Sequence, residues 1–405
     1  MIILSSKMTT KSLPKGKTMR IQTGNPVSGD DFYKRQHLIA RIWDLIESGN
    51  HVLIAAPRRV GKTSLMYYLK DNPKKNFSFL FLDTESINNE NEFFRRVVNK
   101  VLQTDFIKGS QKVFSFLEKH KPTIKKVGPD GVEFGVREDH DYLDMLSRIL
   151  KATACAEKKL VIMLDEFPET LENIIDDEGE NEGRHFLQSN RELRHDRELC
   201  NNVQFIYTGS IGLENVVSKL NAIQTINDLT RLKIPPLQTE EANEMIYMLK
   251  TNLPFELSKS LIGYMLEKIE WLIPFYIQLA LQELKFLYRD EKPKSITKSI
   301  IDRAFDRMLE QRNHFENWHT RLRKALKASN DYNFVKELLN IASEKDTITS
   351  NEIFNLAVKY KLEDIYKDLV GSLIYDGYIN NEEDNHVYRY NSPILRMWWR
   401  KNVAN

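Results

Sequence analysis

His51-Val52-Leu53-Ile54-Ala55-Ala56 runs into Pro57-Arg58-Arg59-Val60-Gly61-Lys62-Thr63-Ser64, and then into Leu65-Met66-Tyr67-Tyr68-Leu69-Lys70. The first run is short, apolar and β-branched, as a buried strand would be, and the third has helical character. Between them the loop fits GxxxxGK followed by Thr, with Ala56 in the first glycine position. A loop in this context turns its amide N–H groups toward phosphate oxygens at the positive end of a helix. Gly61 lets the backbone approach closely, Lys62 brings charge to the β and γ phosphates, and Thr63 offers a hydroxyl to Mg²⁺. Pro57, Arg58, Arg59, Val60 and Ser64 complete the expected cradle. Ala56 adds only a methyl group where the pattern has glycine.

A second stretch answers the first. Leu160-Val161-Ile162-Met163-Leu164 is the most apolar strand of the chain and ends in Asp165-Glu166. Adjacent acids at the carboxyl end of a parallel strand reach the phosphate crevice. Asp165 is expected to hold Mg²⁺ directly or through water, and Glu166 to polarise the attacking water. Read alone, the two acids could simply terminate a buried strand; the loop at 56–64 favours chemistry.

Outward from these motifs, strands alternate with helices. Phe32 to Ile46 has helical spacing and ends at Ser48-Gly49-Asn50; Phe77 to Leu82 reads as a strand, 91–102 and 141–156 as helices, and Val203 to Thr208 as a further strand. The alternation predicts an α/β fold, a parallel sheet with helices on both faces. Leu232 to Leu237 reads as the last strand or the exit from this domain. Runs at 123–127 and 132–136 flank Gly128-Pro129-Asp130-Gly131 and predict an inserted hairpin near 105–140. The expected organisation is an N-terminal arm (1–25) with weak order, a nucleotide domain (26–238), a helical lid or connector (239–330) and a C-terminal module (331–405). In the last, helices near 333–342, 350–359 and 362–375 precede a two-stranded ribbon, which suggests a winged helix. Met8 or Met19 could be the start.

The chain has 405 residues, enough for two or three domains, with 41% hydrophobic and 29% charged residues, a globular composition. No stretch approaches the ~20 apolar residues of a membrane span. Cys155 and Cys200 form no metal or disulfide pattern, so a reduced, cytoplasmic setting and no membrane partner are expected.

Taken with Phe32-Tyr33-Lys34-Arg35, Tyr207-Thr208-Gly209-Ser210-Ile211-Gly212 and the terminal Tyr388-Arg389-Tyr390-Asn391-Ser392-Pro393-Ile394-Leu395-Arg396-Met397-Trp398-Trp399, these motifs resemble prokaryotic and archaeal P-loop ATPases of the AAA/STAND type, relatives of the Orc1/Cdc6 initiators. The resemblance spans about Pro26 to Arg400. It implies an AAA-like sheet, lid and winged helix, with ATP and Mg²⁺ as ligands. It also implies that Ser210 ends a strand that senses the γ-phosphate, that Pro274 is the lid proline near the nucleotide, and that 26–35 border the base. Bulky Leu272-Ile273 depart from the family's small residues before that proline.

Arg191, Arg194 and Arg197 recur on one predicted helix. One of them, Arg194 above all, is a candidate arginine finger acting on a neighbouring subunit, with Arg231 a fourth candidate. The alternative is a solvated face paired with Glu192 and Glu198. His185 and His195 read as surface residues.

The formal charge is only +2, yet it is unevenly spread. Residues 285–330 hold twelve Lys/Arg against six Asp/Glu, and 331–405 hold nine against twelve. Phosphate binding needs a local cationic excess, so the acidic module is ill suited to DNA and better suited to a protein contact or a homo-oligomer. DNA contact through the basic 285–330 helices or the N-terminal arm stays open, with neutralisation of Arg321, Arg323 and Lys324 as its test. The functional expectation is an Mg²⁺-dependent, ATP-hydrolysing switch whose nucleotide state sets the lid and winged helix. An initiator-like DNA factor and a nucleotide-sensing scaffold in a prokaryotic defence system are the alternatives.

Overall fold

The computed structural model describes residues 18–107, 124–128, 131–134, 141–153, 158–209, 212–326 and 328–404. Helix α1 (Gln36–Glu47) buries Leu38, Ile39, Ile42, Trp43 and Ile46 on one face and feeds strand β1 (His51–Ala55). The P-loop follows, then α2 (Lys62–Asp71), β2 (Phe77–Asp83) and α3 (Glu90–Leu102), the last capped by Asn89. A hairpin, β3 (Ile124–Gly128) and β4 (Gly131–Phe134), interrupts the alternation next to α3. Then come α4 (Tyr142–Ala152), β5 (Lys159–Asp165), α5 (Phe167–Glu178), α6 (Glu180–His195), β6 (Val203–Gly209), α7 (Leu213–Lys219) and β7 (Leu229–Lys233).

The five long-range strands form a parallel sheet in the order β2-β5-β6-β1-β7. Successive side chains of a strand face opposite ways, so β5 serves two cores. Val161 and Met163 join the core that contains α1, α2 and the C-terminal helices, while Leu160, Ile162 and Leu164 join one built from α3 to α7. Phe93, Phe167, Phe186 and Tyr207 meet there at ring distances of 4.7 to 5.9 Å. Each such side chain contributes about 1.5–3 kcal/mol on burial. The sheet thereby fixes the carboxyl ends of β1, β5 and β6 side by side.

The last strand runs from Leu229 to Lys233 instead of through Leu237. Pro235 and Pro236 have no N–H for a ladder; their carbonyls instead accept hydrogen bonds from the buried Arg35, at 2.7 and 3.2 Å. The 1–25 arm also needs correction where it is described. Met19 is buried, its amide donates to the Met248 carbonyl and its carbonyl accepts from Asn252, while Arg20 pairs with Asp31.

Beyond the sheet lie α8 (Thr239–Leu249), with a Gln238–Glu241 capping box, α9 (Lys259–Ile269), α10 (Pro274–Glu291), α11 (Lys298–Glu310) and α12 (Arg312–Ala325). The C-terminal module is α13 (Ser329–Lys345), β8 (Thr347–Thr349), α14 (Ser350–Tyr360), α15 (Tyr366–Tyr375), β9 (Ile379–Asn380), β10 (Val387–Tyr390) and α16 (Pro393–Asn402). Its three strands form an antiparallel sheet, β8-β10-β9, so the ribbon expected from sequence gains a third strand. Three residues are too short to register as a periodic signal. Among the described residues no helix is long and apolar enough to cross a membrane.

Candidate active site

The P-loop lies between the end of β1 and the start of α2, with Ala56 and Val60 buried beneath it. Arg59 (φ 71°) and Gly61 (φ 100°) adopt the left-handed conformation that turns the chain sharply into the helix. Lys62 is buried, and its Nζ donates to the carbonyls of Ala56 (2.8 Å) and Pro57 (3.0 Å). Burial lowers its ammonium pKa to about 8, against the pull of Glu166 and Asp165. Thr63 Oγ1 donates to Asp165 Oδ2 at 2.7 Å, and Thr208 Oγ1 donates to Asp165 Oδ1. Burial raises the pKa of this carboxyl, and the two hydroxyl donors oppose that rise. Glu166 caps α5 in a left-handed conformation, φ 56°, and its amide donates to Asp165 Oδ1 at 3.2 Å. A non-glycine residue held there costs about 1–3 kcal/mol and is characteristic of functional turns.

A cleft of about 440 Å³ joins these groups to Asn25, Pro26, Val27, Phe32, Tyr33 and Arg35 on one side and to Pro274, Phe275 and Gln278 on the other. Arg58, Arg59, Val60, Gly61, Lys62, Thr63, Ser64 and Glu166 all line it. The 26–35 segment borders the cleft, tied down by the Val27 amide on Ser64 Oγ at 3.0 Å. Pro274 is the first residue of α10 and reaches the cleft although Leu272 and Ile273 are bulky, because both are themselves buried. Pro57 packs instead against Gly377. Ser210 lies outside the described residues.

The donor set suits Mg²⁺. Thr63 Oγ1 and the Asp165 carboxylate are neighbouring hard oxygen donors, and Mg²⁺ commonly takes one or two such groups together with substrate phosphates and water. Among the described residues no trio of His, Cys, Asp or Glu is arranged to hold a metal on its own.

Arg194 must be removed from the finger candidates. It is 4% exposed, with Nε and Nη2 on the two carboxylate oxygens of Asp228 (2.6 and 2.9 Å), Nη2 also on the Thr225 carbonyl and Nη1 on the Tyr207 hydroxyl. A side chain so committed cannot reach a neighbour's nucleotide. Arg231 pairs with Glu214, and Arg197 is exposed. His185 pairs at the surface with Glu90, as its charged surroundings suggest.

Three features escaped the sequence reading. Glu85, just past β2, lines the cleft 3.7 Å from Arg58. Arg321 and Lys324 of α12 approach Glu169 of α5, at 3.4 and 3.2 Å, with Arg321 the more enclosed of the two. Asp376 and Tyr378 of the C-terminal module share with Arg58, Arg59 and Arg321 a smaller cavity of about 40 Å³. No local spacing signals these, since each depends on residues far apart in the chain.

Sheet order, phosphate loop and acidic strand together define a P-loop ATPase. Residues 39–208 match the family model described as AAA-ATPase-like, a predicted AAA-ATPase. No curated protein matches the chain by sequence. Among solved structures, the Walker-type ATPase of Pyrococcus abyssi is similar at TM-score 0.63 and 16% identity, covering 96% of this chain and 99% of that one. The ORC2 protein of Aeropyrum pernix, in its ADPNP–ADP complexes, is similar at TM-score 0.52 and 12% identity, covering 91% and 94%. At these identities the likeness is one of fold.

Proposed function

We propose that this ATPase is an Mg²⁺-dependent molecular switch, with an ATPase domain (26–238), a lid (239–330) and a C-terminal winged helix (331–405). In this reading ATP phosphates take the Lys62 ammonium from the Ala56 and Pro57 carbonyls that now hold it. Thr63 and Asp165 would hold Mg²⁺, which when bound neutralises charge on the β and γ phosphates. Glu166 orients the attacking water, and Thr208 fixes the Asp165 carboxylate in place. A finger in trans, if the chain assembles, would have to come from a residue other than Arg194.

One observation carries the switch. Arg59 of the P-loop sits 4.5 Å over the Phe275 ring of α10, and from there a row of rings leads away: Phe275 to Tyr276 at 5.7 Å, Tyr276 to Phe315 at 6.1 Å, and Phe315 to Trp398 at 5.9 Å. These rings link the nucleotide cleft, through the lid, to the last helix of the module. Close-packed rings transmit a displacement because they leave no void to absorb it. The test is phosphate release by the purified protein beside Lys62→Ala and Glu166→Gln. Both substitutions are expected to remove at least ~99% of turnover, in keeping with the size of general-base and electrostatic effects. Equal turnover in all three proteins would discard the assignment.

A further inference from the structure

The turn from α15 into β9 touches the P-loop. Gly377 there has φ +83°, and a Cβ on it would lie 2.7 Å from Pro57 Cγ, so the Gly377 backbone lies directly against the Pro57 ring. Just before it, Asp376 lines the small cavity with Arg58 and Arg321, and its Oδ1 is enclosed without a hydrogen-bond partner among the described residues. Tyr378, just after, donates to the Trp318 carbonyl of α12 at 2.6 Å. The groups facing Asp376 come from several elements. They are Arg321 on α12, Glu172 on α5, Lys62 in the P-loop and the Gly212 amide before α7.

We propose that Asp376 and the Gly377 turn form an anion-sensitive latch, which holds the C-terminal module on the P-loop and is displaced when a nucleoside triphosphate fills that loop. This rests on the nucleotide-binding reading above. The carboxyl shares the cations that phosphates need. A γ-phosphate placed beside Lys62 adds negative charge near a carboxyl one of whose oxygens has no hydrogen-bond partner among the described residues. The two anions repel where both are enclosed away from water, so bound triphosphate and a seated turn oppose one another. A diphosphate, with less charge at that end, disturbs the turn less. The linkage is reciprocal: whatever loosens the turn must tighten triphosphate binding by the same factor.

Calorimetric titration of the wild-type protein with ATP and ADP in Mg²⁺ comes first. Absence of ATP binding there would reject the nucleotide reading and the latch with it. Given binding, Asp376→Asn at pH ~8, about one unit above the carboxyl's pKa of about 7 so that the wild-type group is ionised, should tighten ATP about tenfold while changing ADP less than about threefold, within the usual 5–150-fold range of such coupling. Hydrogen exchange in residues 371–391 should rise with ATP over ADP in the wild type. Gly377→Ala, which forces the turn off Pro57 without altering charge, should show raised exchange with no nucleotide present. Unchanged ATP affinity in Asp376→Asn, or exchange in 371–391 that is the same with ATP and ADP, would overturn the latch while leaving the ATPase assignment standing.

Discussion

Replacing Arg194 with alanine separates two readings of the same residue. In the structure its guanidinium is 4% exposed and makes two hydrogen bonds to Asp228, one to the Thr225 carbonyl and one to the Tyr207 hydroxyl. Burial by itself would lower its pKa, but Tyr207 and Asp228 outweigh burial and raise it, so the group stays charged. Removing one member of a buried pair costs about 3–5 kcal/mol, because the remaining charge is left without a partner. Asp228 keeps 15% of its side chain exposed, which favours the lower end, about 3 kcal/mol. For a domain of some 200 residues, at ~2–4 °C per kcal/mol, the melting temperature should fall by about 6–12 °C. Sign and pH follow from Asp228. Burial tends to raise its pKa, yet its hydrogen bond and charge interaction with Arg194 lower it below the ordinary carboxylate value. The pair's stabilisation is therefore present above that ordinary value and is lost as pH falls through the lower folded-state value. Melts of wild type and Arg194→Ala should differ most near neutrality and converge in acid. A finger acting on a neighbouring subunit predicts the opposite pattern, with unchanged melting and lost turnover. A variant that melts within a degree of wild type would refute the structural reading.

Two further outcomes test the site. Thr208→Val keeps the shape but removes the hydroxyl that orients Asp165, and such supporting partners are commonly worth 10–100-fold in metal affinity. Titrating Mg²⁺ against ATP binding should show a shift of that order, and an unaltered titration would remove Thr208 from the cation site. Asp376 gives a pH test on the fold alone. Burial, with Glu172 adding to it, raises its pKa to about 7 against Arg321, Lys62 and the Gly212 amide, and Glu169, Lys324 and Arg58 line the same cavity. An acid with a raised folded-state pKa loses stability as pH climbs from the ordinary carboxylate range, ~4, to about 7. Asp376→Asn, which cannot ionise, should therefore match wild type near pH ~4 and melt higher above pH ~7; parallel curves at all pH would contradict it.

How far the sequence led depends on distance along the chain. The P-loop and Asp165-Glu166 were legible because their chemistry is packed into contiguous residues with a strand on one side. The parallel character of the central sheet followed from the same alternation, whereas its strand order, β2-β5-β6-β1-β7, is set by crossovers that no local pattern marks. The role of Arg194 was not legible, since helical spacing shows only that three arginines share a face, while Asp228, its actual partner, lies 34 residues away. Leu232 to Leu237 reads equally as a last strand or as the exit from the domain, and only the carbonyls of Pro235 and Pro236, bound by Arg35, show that the strand ends at Lys233 and the rest leads out. The contact of Gly377 with Pro57 joins positions 320 residues apart in sequence, and no local pattern encodes it.

The charge distribution is the clearest case. The +6 excess over residues 285–330 made a nucleic-acid surface plausible. In the fold, several of those cations meet internal acids: Arg303 pairs with Glu291, Arg307 with Glu283 and Asp290, and Arg321 and Lys324 with Glu169. The last two matter most, because Glu169 stands one turn into the helix that Glu166 begins. Lys324 keeps about half of its side chain exposed, whereas binding a duplex through Arg321 would compete with its pair to Glu169, a carboxylate that is itself buried. Leaving such a charge unpaired costs several kcal/mol, more than a solvated Lys or Arg gains from a phosphate at physiological salt. Net charge along a sequence counts these cations as available; the ion pairs with Glu169 tie two of them to the helix that Glu166 begins.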